Sequence, residues 1–208
     1  MATMVSVAVA ATLALASRAA GTDSGPRLLP VPLISQATPW TCGPASLMAA
    51  LVYFGVFDEP ESRLDDELGA TPEDGVAPAR IAAEARLYGL DAEVKTEMSL
   101  ADLAEALGRG AVVIAALQAW PAEPGADLER GWENGHYVVV VGLDARRVYA
   151  MDPSVRTGYA YLTRDAFVRR WHDYDVVGGR RLSWQRLGIV LTGPRPLPRY
   201  PAEPTPIE

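Results

Sequence analysis

The chain has 208 residues, 49% of them hydrophobic and 22% charged, which fits one soluble domain with a real core and excludes a disordered chain. The formal net charge is −7 and no Lys/Arg cluster stands out, so nucleic acid and anionic membrane surfaces are not expected as partners. One Cys and two His exclude an intramolecular disulfide and make a poor zinc cage. No GxxxxGK[ST] phosphate loop is present, and no apolar run reaches membrane-spanning length. The expectation is chemistry without metal or cofactor, built on a single thiol.

Residues 1–26 read as a leader. Met4 to Ala16 is a run of small apolar residues of signal-peptide length, and Ala14-Leu15-Ala16 resembles a small-x-small cleavage site. No Lys or Arg precedes the run, which leaves a mis-assigned start or a disordered leader open. Export is the favoured reading over a cytoplasmic location. At the other end, Pro194 to Glu208 holds six prolines in fifteen residues, the composition of an extended, solvated tail. Residues 27–193 between them read as one domain.

That domain opens with helices. Pro44 to Phe54 is apolar on most sides, as for a buried helix, and Pro60 to Leu68 is a short acidic one. Pro78 to Tyr88 is amphipathic and stops at Gly89. Ser99 with Asp102 three residues on forms a capping box for a helix to Leu107. Strands dominate the second half: Ala111 to Leu117, His136 to Leu143, Val148 to Met151, Gly158 to Leu162 and Leu187 to Leu191. One more helix, Arg164 to Trp171, is capped by Thr163. Helices first and sheet second give an α+β class, with N-terminal helices packed on a C-terminal antiparallel sheet.

Cys42 is followed by Gly43 and Pro44, and Pro favours the first turn of a helix. The thiol therefore sits at or just before a helix start, where free N–H groups and the positive dipole end suit a thiolate nucleophile. A lone Cys in apolar surroundings is commonly an inert core residue; the helix-start position and the nearby Gln36 argue otherwise. His136 opens a buried strand, and the next strand ends in Asp152-Pro153. Antiparallel pairing about Ala145 sets Asp152 opposite Val138, diagonal to His136 on the same face. This holds only for an odd loop or a bulge, so a three-residue loop or its equivalent is expected. Cys42, His136 and Asp152 then read as nucleophile, base and orienter. Gln36 and the Cys42 backbone N–H read as donors to a developing oxyanion.

Gln36, then Cys42-Gly43-Pro44-Ala45-Ser46, then Gly135-His136-Tyr137-Val138-Val139-Val140 and Asp152-Pro153 resemble the papain-like cysteine peptidases of family thirty-nine. The best-known members cleave bacteriocin leader peptides after a double glycine. The resemblance runs from about Val31 to Leu191. It implies a papain-like fold, a peptide or protein substrate, Cys42 as nucleophile, His136 as general base, Asp152 as orienter and Gln36 in the oxyanion hole. Trp132 to His136 and Arg170 to Asp173 resemble a stand-alone subgroup. The chain is too short to hold the membrane and ATPase regions of the bacteriocin exporters. A thiol acyltransferase or amidase, and a silent peptide-binding module, remain open on the same fold.

Two further features carry weaker expectations. His172, beside Arg169 and Arg170, reads as a C-terminal helix cap. The long acidic loop from Trp120 to Asn134, leading into His136, reads as a lid; its tryptophans read first as core aromatics, with lining a cleft as the alternative.

Overall fold

A computed structural model describes residues 26–121, 123–194 and 196. The readings of residues 1–25 as a leader, and of residues 195 and 197–208 as a solvated tail, lie outside them. In chain order the elements are α1 (Cys42–Tyr53), α2 (Glu61–Leu68), α3 (Pro78–Leu87), β1 (Asp91–Lys95), α4 (Leu100–Gly108), β2 (Val112–Gln118), β3 (Gly135–Leu143), β4 (Arg147–Met151), β5 (Ala160–Thr163), α5 (Arg164–Arg170), β6 (His172–Val177), β7 (Arg180–Gln185) and β8 (Gly188–Thr192). Helix α4 carries the expected reciprocal capping box between Ser99 and Asp102, and the Thr163 side chain caps α5.

Six strands form one antiparallel sheet in the order β1-β8-β2-β3-β4-β5, and β6 and β7 form a separate hairpin. Strand β2 is buried along its whole length, so its side chains serve two cores by the strand period of two. Val112, Ile114 and Ala116 pack with Leu47 and Leu51 of α1 and Ile81 of α3. Val113, Ala115 and Leu117 pack with Leu103 of α4 and with Phe167 and Trp171 beside β6. The expected helices-on-sheet arrangement is thus present, with helices on both faces. Helix α1 is apolar nearly all round because it is buried nearly all round, with ten of its twelve residues in the interior.

Three strands extend the predicted set. Strand β1 is an edge strand with an alternating charged face, and β6 and β7 are joined by Gly178-Gly179, both at positive φ (59° and 75°). Two such residues are what a tight two-residue hairpin turn requires.

The turn between β3 and β4 decides which side chains share a face. Near the turn the register is Leu143 with Val148 and Gly142 with Tyr149, and farther along it is Val140 with Ala150 and Val139 with Met151. Asp144 N–H bonds the Arg147 carbonyl at 3.0 Å, so the turn itself closes on two residues. The extra residue the argument needed is a β-bulge at Val141, not an odd loop. It restores the pairing that places Asp152 opposite Val138.

Candidate active site

The thiol is carried by the first residue of α1, and Cys42 is 8% exposed. The approach to it is a tight turn: Thr38 N–H donates to the Thr41 Oγ1 at 3.0 Å, and Thr41 N–H to the Thr38 carbonyl at 3.3 Å. As the first residue of the helix, Cys42 has an N–H with no intrahelical acceptor. Gly43 is required behind it, because a Cβ there would collide with Val76.

The imidazole of His136 is buried, and its Nε2 lies 2.8 Å from the Asp152 Oδ1. Cys42 also acts on the same ring, and with Nε2 engaged the nitrogen left for sulfur is Nδ1. Burial alone would push the imidazolium down, but the hydrogen bonds and charges of Asp152 and Cys42 outweigh it and raise His136 from 6.5 to about 9. Asp152 shows the mirror image. Burial opposes its ionisation, yet the His136 ring, the Ser154 N–H at 2.8 Å and the Trp120 indole N–H at 3.0 Å hold the carboxyl below its usual range.

Gln36 lies between the two halves of this arrangement. Its Nε2 donates to the Thr38 carbonyl at 2.8 Å, its Oε1 accepts from the Ser154 Oγ at 3.1 Å, and its N–H bonds the Pro153 carbonyl at 3.1 Å. One N–H of the side-chain amide is therefore committed to holding the turn before Cys42, and the other is left for a ligand. Gln36 is thus linked to the Cys42 turn through Thr38 and to the Asp152 side through Pro153 and Ser154.

A cleft of about 240 Å³ opens at Cys42, with Trp40, Val76, Gly135, Trp132 and Tyr137 among its walls. Asp173 lies on it, and burial pushes this carboxyl up to about 7. Its Oδ1 accepts from Gln118 Nε2 at 3.2 Å and from Tyr174 N–H at 2.9 Å. A Cβ at residue 135 would stand 2.6 Å from the Asp173 Oδ2, so glycine is needed immediately before His136. Gln118, fully buried, also donates to the His172 carbonyl at 3.1 Å and accepts from the Asn134 N–H at 2.8 Å. It fixes the entry to β3, a role that one polar residue ending an otherwise apolar strand could have signalled.

His172 does meet the end of α5, with Nδ1 3.0 Å from the Arg169 carbonyl. Its Nε2 lies 2.8 Å from the Gly131 carbonyl, which ties the 120–134 loop to the hairpin. The residue itself opens β6 rather than ending the helix. Trp132 lines the Cys42 cleft, whereas Trp120 lines a second cavity and holds Asp152. Among the described residues no helix is long and apolar enough to cross a membrane, and no cluster of three or more His, Cys, Asp or Glu could hold a metal ion.

The sequence pattern of the Peptidase_C39 like family matches residues 28–177. The chain belongs to this family. Its fold is that of C39 peptidase domains, seen in three solved structures. One is a C39-like peptidase from Bacillus anthracis, at TM-score 0.62 and 21% identity over 81% of this chain and 98% of that one. The second is a double glycine motif protease from an AMS/PCAT transporter in complex with the leader peptide, at TM-score 0.54 and 22% identity over 79% and 92%. The third is the peptidase domain of Streptococcus ComA, a bi-functional ABC transporter involved in a quorum sensing pathway, at TM-score 0.54 and 17% identity over 79% and 99%. Among curated proteins, none matches the chain significantly.

Proposed function

We propose that this C39-like protein is a cysteine peptidase that cleaves a peptide substrate through a thioester on Cys42. The observation that carries the reading is the His136 ring, bonded to the Asp152 carboxylate at 2.8 Å and raised by Cys42, which lines the mouth of a cleft. The substrate class is supported by the leader peptide in the transporter protease complex.

In this reaction the Cys42 sulfur attacks the scissile carbonyl carbon and a C–S bond forms. The oxygen that gains charge is met by the Cys42 N–H and the free N–H of Gln36. The C–N bond then breaks, and the His136 imidazolium gives its proton to the departing amine. Water attacks the thioester, His136 takes its proton, and the C–S bond breaks to release the carboxylate product. Asp152 keeps its charge throughout and holds the ring in register, fixed by Trp120 and Ser154.

Incubation with a peptide library, read by mass spectrometry, tests this. Cleaved peptides lacking any added group are expected, together with a transient protein adduct of acyl mass on Cys42. Products carrying an amine in place of water would instead indicate an acyltransferase.

The pH dependence has a definite sign. A histidine raised to about 9 keeps its proton below that pH and loses it above. kcat/KM should therefore fall as pH rises through about 9, when the leaving group loses its acid. Asp152→Asn removes a charge that raises His136, so the descending limb of the profile should move to lower pH. The same coupling adds stability to the fold that is fully present below 6.5 and lost as pH rises through about 9.

A further inference from the structure

A second cavity, of about 290 Å³, lies on the sheet face opposite α1. Its walls are apolar side chains of β2 to β5, among them Leu117, Val138 and Ala150, closed by Phe167 of α5 and by Trp120. One large aromatic is half exposed at it, Trp120 at 55%, an arrangement suited to an apolar ligand.

One cation lines this apolar space. Arg170 ends α5, its Nε is buried, and that atom has no hydrogen-bond partner among the described residues. The guanidinium joins no ion pair among the described residues. A buried donor on a charged group is costly to leave unbonded, so this edge of the cavity favours an anionic acceptor. The one carboxylate that lines the cavity, Asp152, is already committed to His136, Ser154 and Trp120.

We propose that this cavity binds an amphipathic carboxylate, its apolar chain against Leu117, Val138 and Phe167 and its carboxylate on Arg170. Charge complementarity selects the anion, because a planar guanidinium matches a carboxylate, and the apolar lining selects the chain. The bound chain lies against Trp120, whose indole N–H holds Asp152, so the site adjoins the proposed triad while remaining separate from the Cys42 cleft. It does not rest on the peptidase reading, since binding is read without turnover.

The test is calorimetric titration of the full chain with decanoate and, separately, with decanol. Decanoate should bind about tenfold or more tightly than decanol, the difference reporting the charge-assisted bond. In Arg170→Met, which keeps an apolar stem, the two should bind alike and as weakly as decanol. In Ala160→Phe, which fills the cavity from β5, neither should bind, with the thermal transition of each variant showing that it folds. Equal affinity for decanoate and decanol in the native chain, unchanged decanoate affinity in Arg170→Met, or no binding of either compound would each overturn the proposal.

Discussion

Cys42→Ala is expected to lower peptide turnover by at least about 10⁴-fold while leaving peptide affinity within a few-fold of the native value. The first part follows from chemistry: no other thiol exists in the chain, and among the described residues no hydroxyl hydrogen-bonds His136. The second follows from geometry. Cys42 is 8% exposed and contributes little surface to the cleft, whose walls are Trp40, Val76, Trp132 and Tyr137. The side chain shrinks by one sulfur atom at the start of a helix held by Thr41 and Gly43, so the variant should fold. Steady-state kinetics on a cleaved peptide, with equilibrium binding measured on the same peptide, checks both parts. Undiminished turnover would leave a peptide-binding module as the remaining reading.

The second large effect is on the base. His136→Ala should cost nearly as much as Cys42→Ala, because the thiol loses its partner and the departing amine loses its acid. Asp152→Asn should be milder. The Trp120 indole donates to Oδ2 and the Ser154 N–H to Oδ1, so an Asn amide keeps one of these two bonds, and the ring loses its charged orienter rather than its place. Gln36→Ala removes an oxyanion donor and should cost roughly 10²–10³ in kcat with little change in ground-state binding. Because Gln36 also bonds Thr38 and Ser154, its loss should lower the thermal transition slightly as well. The order of severity is informative in itself. A Gln36→Ala variant with weakened binding and an unchanged chemical step would assign Gln36 to substrate contact instead.

The parts of this fold legible from sequence were those written in local pattern. Ser99 with Asp102 marks a helix start wherever it is met, and the run of four valines after Tyr137 is a strand on hydrophobicity alone. The pairing of His136 with Asp152 was also legible, because the strand period of two puts both on one face once the register is set. The device that sets it, a bulge at Val141, was not, since nothing in a valine run distinguishes which residue is left unpaired. Strand β1 was missed because Asp91-Ala-Glu-Val-Lys95 buries little beyond one alanine on an edge, so its pattern resembles a charged loop. The hairpin of β6 and β7 is largely exposed and polar. Its signal was Gly178-Gly179, a turn pair that outweighs the weak strand pattern around it. Trp120 reaches Asp152 from thirty-two positions away, a contact that only tertiary structure creates.

The reactivity of Cys42 itself tests the central claim most directly. Alkylation by iodoacetamide at mildly acidic pH, followed by intact mass, reports how far the thiol is activated by its surroundings. The account predicts rapid single modification at Cys42 in the native chain and a large loss of that rate in His136→Ala, with Asp152→Asn between them. Slow modification under those conditions, or a rate that His136→Ala leaves unchanged, would contradict the pairing of Cys42 with His136 and with it the proposed chemistry.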